Sequence, residues 1–394
     1  MTSAFPPEAV ALLCPPPPAR RSFPPREGAP SRDGTHLLAG KVTRSEGGAS
    51  PPPQEVLRGS CPRIRVWRAH EARASGTVPG MTPRPDSAQL LPRSPLLAAG
   101  IPVSALTRVR SGAVVRTSEW EALFAEGRLR TLAHAVANRA ATALATFSHT
   151  TAAALHGIPV YRDRGDRVHL IVPGEHTRKD SRDVVRHHYA LAESEVVVLA
   201  GLRATGLDRT VYDVIRTTPV AAAVVCFDAA LRAVAWDEDS RTYDRELAER
   251  FRGLILERIR RGTGARGIRQ ARFVTGFADG RAQLPGESVT RLWMHQLGIP
   301  RPELQYRVDL AGGRYALLDF AWPHLGRWQE FDGESKYADP DLLAGRTPEQ
   351  VLHEQQVRER EVIRATGWSV TRHGFAQMAT FDAFAAYLRS IYLL

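Results

Sequence analysis

The stretch GRWQEFDGESKY, residues 326–337, places Glu330, Asp332, Glu334 and Lys336 at alternating positions. Residues two apart on a strand lie on the same face, so a strand here gathers these charges on one side. Two interpretations fit this pattern. A solvent-facing edge strand often carries such charges, and lysine there opposes aggregation. Alternatively, neighbouring carboxylates on one face share a hard cation such as Mg²⁺.

The sequence around this stretch predicts alternating helices and strands. An apolar stripe predicts an amphipathic helix within residues 285–302, with Glu287 in its first turn. Residues 304–323 predict two strands joined at a Gly-Gly pair, the second of which ends on Asp319. Residues 327–333 predict a third strand.

A second helix and a last strand complete this region. Thr347 and Gln350 are spaced as a capping box, and Pro348 occupies the first helical turn. Gly367 ends the helix, and residues 368–374 predict the strand. The predicted order is therefore helix, three strands, helix, strand.

The predicted hairpin brings carboxylates together. Asp319 lies beside Glu330 on the next strand, and Asp332 shares the face of Glu330. Magnesium prefers a few carboxylates with waters and substrate phosphates, and it both activates water and stabilises a leaving oxyanion. Lys336 is a candidate to polarise the phosphate or position the water. In the competing interpretation, Glu287 is an ordinary first-turn charge and the strand is a solvated edge.

Residues 96–127 predict a small helix-turn-helix with a possible wing. The pattern gives a short helix, a turn, a second helix over residues 103–110 and then a strand. Arg108 and Arg110 on the second helix and Arg116 in the wing suit contacts to DNA phosphates. A pair of short helices is also common without DNA binding, so both interpretations stay open.

Residues 128–275 predict an α/β middle region with helices first, then strands in residues 167–173 and 184–191, and further helices within residues 201–234. Ser148 is the expected N-cap of one helix. Arg209 and Asp213 stand at helical i,i+4 spacing. The region as a whole is expected to be structural.

Four histidines of this region raise the question of a metal site, namely His149, His156, His187 and His188. No cysteine or carboxylate completes a ligand set at a recognisable spacing. Capping or core-edge roles are therefore favoured for them.

The N-terminal part of the chain differs in composition. Eighteen of the 28 prolines fall before residue 96, which predicts a disordered tail over residues 1–95. Residues 1–80 hold 11 Lys and Arg against 6 Asp and Glu, so +6 of the net charge of +11 belongs to the rest of the chain. A basic balance fits a polyanionic partner.

Composition excludes several classes of protein. Three scattered cysteines are too few for a disulfide framework or zinc cluster, which indicates a reducing compartment. No apolar run approaches the roughly 18 residues of a membrane span. We therefore expect a cytoplasmic protein without a membrane partner.

The C-terminal motifs resemble the PD-(D/E)XK nuclease superfamily, in particular its very-short-patch-repair endonuclease-like branch. The matching segments are GESVTRLWMHQLGIPRPELQYRV, LLDFAWP, EFDGESKY and RATGWSVTRH, in that order, across roughly residues 284–373. The resemblance implies a restriction-endonuclease-like domain over residues 280–394, with a mixed sheet flanked by helices. It also implies a DNA endonuclease that depends on Mg²⁺ or Mn²⁺.

The same resemblance assigns roles to the acidic residues. It makes Asp319 and Glu330 the principal metal ligands, and Asp332 the third. Glu287 supports the site from the first helix. Asp332 stands where the signature usually has lysine, so Lys336, four residues later, is the candidate replacement.

Two upstream segments resemble an AbiEi-type antitoxin or regulator module of actinobacterial proteins, SHTTAAALHGIPV (148–160) and TGLDRTVYDV (205–214). The expected architecture is thus a winged-helix-like and helical module followed by a nuclease-like domain, an α/β (α+β) fold. Two functions remain in competition: a metal-dependent endonuclease, and a non-catalytic DNA-binding regulator, with a cognate toxin as a further partner, that keeps the nuclease fold as a scaffold.

Overall fold

The protein is described by a computed structural model that covers residues 87–92, 102–138, 145–172, 181–332 and 347–392. Four predictions lie outside these ranges: the tail up to residue 86, the first helix of the helix-turn-helix, and the positions of Glu334 and Lys336.

The described part of the chain is a mixed α/β structure, which confirms the predicted fold class. The strands are β1 (Leu91–Pro92), β2 (Leu106–Arg110), β3 (Ala113–Arg116), β4 (Thr146–Phe147), β5 (Val168–Ile171), β6 (Val184–His187), β7 (Val196–Leu199), β8 (Leu202–Thr205), β9 (Trp236–Asp237), β10 (Thr242–Tyr243), β11 (Glu303–Asp309), β12 (Tyr315–Trp322), β13 (Arg327–Asp332) and β14 (Ser369–Gly374). The helices are α1 (Thr117–Ala122), α2 (Ala125–Ala137), α3 (His149–Leu155), α4 (Leu207–Thr217), α5 (Val220–Ala235), α6 (Arg245–Arg261), α7 (Ile268–Phe277), α8 (Pro285–Gln296), α9 (Pro348–Thr366) and α10 (Phe381–Tyr392).

The strands of the described ranges form four sheets, with strand orders β1-β3-β2, β6-β5-β4-β8-β7, β10-β9 and β11-β12-β13-β14. We call the five-stranded sheet the middle sheet and the four-stranded one the C-terminal sheet. No helix in the described ranges is long and apolar enough to cross a membrane.

The second helix predicted over residues 103–110 is wrong. Apart from a short 3-10 turn, the segment is strand β2, which pairs antiparallel with β3. Thr107 and Val109 alternate with arginines, a pattern of period two that suits a strand. Gly112 adopts φ +81° in the connection, a conformation that glycine accepts without steric cost. The helix-turn-helix interpretation failed because a hairpin turn was taken for a helix stop.

The predicted tail overlaps this small sheet at its end. Leu91 pairs with Val114 and Pro92 with Ala113, which makes β1 an edge strand. The backbone N–H of Ala88 donates to the hydroxyl of Thr131 at 2.9 Å. The tail prediction over residues 1–95 is therefore wrong at residues 87–92, because an edge strand tolerates proline.

The middle sheet carries one further correction. Residues 202–205, predicted as part of a helical stretch, form β8, which pairs antiparallel with β7. Ala200 and Gly201 between the two strands have φ of +47° and +76°. Two successive residues with positive φ are typical of the tight type I′ hairpin turn. The helix starts only at Leu207, after that strand.

The C-terminal sheet confirms the predicted order of helix, three strands, helix, strand. Strands β11, β12 and β13 run antiparallel, while β14 joins β13 in parallel after the connection that contains α9. The predicted capping box at Thr347 and Gln350 is present, and Gly367 ends α9 at φ +71°. One boundary was wrong: β12 does not end on Asp319 but continues to Trp322.

A single apolar cluster joins the middle region to the C-terminal sheet. It contains Phe227 of α5 and Phe251 of α6 together with Leu292 of α8 and Phe320 of β12, all buried. The core therefore continues across the predicted boundary between residues 275 and 280. A second, smaller cluster lies on the other face of the C-terminal sheet, around Trp328.

Candidate functional site

A cavity of about 340 Å³ opens between the C-terminal sheet and the end of α5 with the β9–β10 hairpin. Asp319 and Glu330, the two principal ligands expected from sequence, both line it. Three arginines also line the cavity, Arg232, Arg241 and Arg358. The site thus combines two carboxylates on the sheet with cationic side chains around them.

Asp319 is placed by the strand that follows it. The last β12–β13 pair is Phe320 with Gln329, so Asp319 stands one step beyond it and opposite Glu330. Its Oδ2 accepts a hydrogen bond from the backbone N–H of Phe331 at 3.0 Å. This contact fixes the carboxyl group at the point where the regular ladder between the two strands stops.

Gln305 contacts Asp319 from the opposite side. Its Nε2 donates to Oδ1 of Asp319 at 3.3 Å, and Gln305 also lines the cavity. The backbone of Gln305 adopts φ +50°. A non-glycine residue in this region is strained, and such strain clusters at functional sites.

Glu330 is almost completely buried and forms ion pairs with two arginines. Its side chain is only 4% exposed. Arg358 of α9 donates to it at 2.8 Å, and Arg372 contacts it at 3.3 Å. The β13–β14 register places Arg372 directly opposite Glu330. A buried charge requires such partners, because a carboxylate without them loses its hydration at large cost.

The other two acidic residues lie around this pair. Asp332 contacts Arg372 at 3.3 Å and accepts from Gln355 at 3.2 Å, but it is not part of the cavity wall. Glu287, 2% exposed, accepts from the backbone N–H of Gln283, which does line the cavity, at 2.8 Å. Glu287 therefore supports the wall rather than facing the cavity.

The first turn of α8 lies very close to β13. A Cβ atom added to Gly286 would lie 2.0 Å from the ring of Phe331, so only glycine fits there. Phe331 is the residue whose N–H holds Asp319. The glycine of the PGES segment thus allows helix, strand and carboxylate to come together.

The donor set fits a hard cation of the magnesium class with two protein carboxylates. Asp319 and Glu330 offer carboxylate oxygens on one cavity wall, and Mg²⁺ usually keeps several waters in addition to one or two carboxylates. Asp332 does not complete a set of three. Among the described residues, the one group of three potential ligands with close donor atoms consists of histidines of the middle sheet.

The arginines expected to contact DNA lie on a hairpin instead of a helix. Arg110 pairs with Asp183 at 2.9 Å, and Arg116 contacts Glu119 at 3.7 Å. Arg108 and Arg110 line a separate cavity of about 540 Å³. The three arginines therefore lie together on the β2–β3 hairpin, and the helical location expected for Arg108 and Arg110 is wrong.

Sequence reasoning missed the arginines that surround Glu330. Arg372 stands in RATGWSVTRH, a segment used only as a family likeness, and Arg358 stands in the predicted helix before it. The predicted third and last strands were the available signal for Arg372, and the parallel register that aligns it with Glu330 comes from the structure. Arg358 comes from a helix 28 positions away, a distance at which spacing carries no information.

His373 lies beneath the site and predicts a pH dependence of stability. Burial lowers the pKa of His373 from 6.5 to about 4. The amide of Gln329 contacts Nδ1 at 2.8 Å and the hydroxyl of Thr290 contacts Nε2 at 2.7 Å, partners that suit a neutral ring. Because the unfolded chain takes up this proton first, stability is present above pH 6.5 and is lost as the pH falls towards 4.

We expect His373 to account for a loss of about 2 kcal/mol in the free energy of unfolding between pH 7 and pH 5. Urea unfolding at the two pH values measures it. His373→Gln should flatten this dependence, while the exposed His324→Gln should keep it. An equal pH dependence in both variants contradicts the assignment.

Comparison with known proteins finds two relatives from Mycobacterium tuberculosis. Uncharacterized protein Rv2248 of strain H37Rv and Uncharacterized protein MT2308 of strain CDC 1551 are each 30% identical to this chain over 247 residues. The aligned part is 61% of this chain and 82% of each relative. The chain belongs to the family of these mycobacterial proteins. No protein-family model matches it. The names of these two family members assign no activity.

Proposed function

We propose that this family member is a metal-dependent DNA endonuclease whose active site is the cavity at Asp319 and Glu330. The observation that carries the proposal is their common position: two carboxylates from adjacent strands line one cavity together with Arg232, Arg241 and Arg358. Carboxylates that bind a hard cation, beside arginines that bind phosphate, are the components that phosphodiester hydrolysis requires.

Two donors of this cavity suit an anionic substrate. The Nη1 atom of Arg232 and the Nε1 atom of Trp236 are buried and have no hydrogen-bond partner among the described residues, although both side chains line the cavity. Arg232 lies over the Trp236 ring at 4.2 Å and pairs with Glu238 at 3.0 Å, so its position is fixed. Unpaired buried donors are costly, and a small shift of the two side chains on substrate binding would let a phosphate oxygen satisfy them.

In this function the residues of the site have separate roles. Asp319 and Glu330 would hold the divalent cation, which, when bound, supplies an activated water and charge for the departing oxygen. The N–H of Phe331 orients Asp319, while Arg358 and Arg372 donate to the carboxylate of Glu330 and hold it in place inside the fold. A DNA substrate also places the proposed activity in the cytoplasm.

A second function is a non-catalytic DNA-binding regulator of the AbiEi antitoxin type, with a cognate toxin as a further partner. Both oxygens of Glu330 already accept from arginines. Asp332, at the position of the signature lysine, is also paired with Arg372. These ion pairs favour a scaffold that keeps the fold without the chemistry.

Divalent-metal dependence separates the two functions. The purified full chain is incubated with supercoiled plasmid and with single-stranded DNA in Mg²⁺, in Mn²⁺ and in EDTA. We expect nicking in either metal and none in EDTA. Intact plasmid in both metals, together with a gel shift that weakens as salt rises, would favour the regulator instead.

A further inference from the structure

Three histidines converge on one side of the middle sheet, away from the acidic cavity. His149 stands at the start of α3, His169 on β5 and His187 at the end of β6. One ring nitrogen from each lies within 4.8 Å of the other two. Capping or core-edge roles were predicted for His149 and His187, while His169 was not among the four histidines of that prediction.

The strand register explains why these residues meet. β5 and β6 run parallel, with Ile171 opposite His187, and His169 lies two residues before Ile171 on the same face. His169 and His187 are therefore diagonal neighbours on one face of the sheet, and Nδ1 of His169 lies 2.9 Å from Nε2 of His187. His149 enters the group from the β4–α3 connection and stacks on His187 at 3.8 Å between ring centroids.

His149 has the features of a metal ligand whose ring is fixed by the surrounding protein. It is 1% exposed, and its backbone adopts φ +52°, a strained conformation for a residue with a side chain. Its Nδ1 contacts the hydroxyl of Ser148 at 2.9 Å, while its Nε2 is buried without a hydrogen-bond partner among the described residues. Ligating histidines typically bind the metal through one nitrogen and a protein oxygen through the other, which fixes the ring.

The electrostatics of the group agree with ligand function. Burial lowers the pKa of His149 well below 6.5, and the neighbouring His187 and His169 lower it further. His149 is therefore neutral at physiological pH, and the tautomer in which Nδ1 donates to Ser148 leaves the lone pair on Nε2. Metals bind the neutral imidazole, so no proton has to be removed from His149 first.

We propose that His149, His169 and His187 form a binding site for a divalent transition metal of the zinc class. Three imidazoles suit zinc, copper, nickel or iron, whereas magnesium and calcium prefer oxygen ligands. Tetrahedral coordination at 2.0–2.1 Å separates ligand nitrogens by about 3.3 Å. His169 and His187, hydrogen-bonded at 2.9 Å, are already near that separation, and a cation would replace the proton that they share. Rotation about the soft terminal torsions of these two half-buried rings turns their lone pairs toward Nε2 of His149.

The described residues supply these three ligands and no fourth one close to them. His169 and His187 are half-buried, and Tyr189, 40% exposed, stacks beside His187 at 5.6 Å between ring centroids. Three protein ligands with one open position are typical of zinc sites that bind water or a substrate group. The site stands apart from the proposed nuclease cavity in residues and in preferred metal, so either can fail without the other.

Metal titration of the full chain, freed of any affinity tag, tests the proposal. Isothermal titration with Zn²⁺ and the visible spectrum with Co²⁺ report affinity and geometry. We expect one tight Zn²⁺ per chain and the intense bands of tetrahedral Co²⁺. His169→Gln and His187→Gln should each weaken binding at least about 100-fold, beyond the 10–100-fold that loss of an outer-shell partner costs.

Two matched variants control this experiment. His188→Gln changes the exposed neighbour of His187 and should bind Zn²⁺ as the wild type does. Asp319→Asn removes a carboxylate of the acidic cavity and should leave the Co²⁺ spectrum unchanged. Absence of stoichiometric Zn²⁺ binding, or equal affinity in the His169→Gln and wild-type chains, would overturn the proposal and leave the group as a stack of neutral rings.

Discussion

Asp319→Asn is expected to reduce metal-dependent plasmid nicking by about 10²–10³-fold, the range observed when one group that stabilises transition-state charge is removed. The asparagine carbonyl can still accept from the N–H of Phe331, and its amide group occupies the same volume. The change therefore removes the negative charge that binds a cation and leaves the local fold intact. The initial rate of nicking at saturating Mg²⁺ measures the effect.

The matched control is Asp309→Asn on the same sheet. Asp309 is exposed at the end of β11 and pairs with Arg307 at 2.8 Å, outside the cavity lining. It should nick DNA at the wild-type rate. If Asp319→Asn also retains that rate while the thermal midpoint is unchanged, the nuclease proposal fails and the regulator becomes the better explanation.

The C-terminal elements were predictable because their signals are local and agree with one another. The Gly312-Gly313 pair between two apolar runs predicted the β11–β12 hairpin. The capping box at Thr347 and Gln350 predicted the start of α9. When turn chemistry, capping and hydrophobic pattern all favour one structure, single-sequence reasoning is accurate.

The N-terminal hairpin shows how the same reasoning fails. LTRVRSGAVVR contains one glycine and short apolar runs, which fit either a helix that ends at Gly112 or two strands that turn there. Pairing with β1 selects the strands, and β1 contains Pro92 and lies in a segment whose proline content suggested disorder. A partner some twenty residues away decided the structure, and local propensity does not contain that information.

The acidic residues of the candidate site were predicted from the sequence, but its arginines were not. Asp319 and Glu330 follow from the order of strands, since a hairpin aligns them. Arg232 comes from α5 in the middle region, and its place at the cavity depends on how α5 packs against the C-terminal sheet. Spacing along the chain predicts which residues share one hairpin. The other residues of the cavity are placed there by tertiary packing, which spacing does not show.

Breaking the ion pair between Asp228 and Arg291 is expected to cost about 3–5 kcal/mol in the free energy of unfolding. Arg291 of α8 donates to Asp228 of α5 at 2.6 Å, and the two side chains are 2% and 1% exposed. Arg291 also donates to the carbonyl of Phe277 at 2.7 Å, and Asp228 accepts from the N–H of Asp279 at 2.7 Å. The pair thus connects α5 of the middle region to α8, which packs beside the C-terminal sheet.

Each single variant leaves a buried charge without its partner. In Arg291→Met the carboxyl group of Asp228 remains, and because burial already raises its pKa, it becomes neutral at a cost. In Asp228→Leu the guanidinium of Arg291 remains. Urea unfolding should show both losses, whereas Glu361→Gln, which breaks the ion pair with the exposed Arg314, should leave the urea midpoint unchanged.

The double variant Asp228→Leu/Arg291→Met tests whether the two buried charges are energetically coupled. Replacing both charges with apolar side chains removes the desolvation cost together with the attraction, so most of the lost stability should return. The N–H of Asp279 and the carbonyl of Phe277 would then lack their side-chain partners, which limits the recovery. If the double variant is instead as unstable as the sum of the two single variants, the charges are not coupled and the attachment of the two regions depends on the apolar cluster alone.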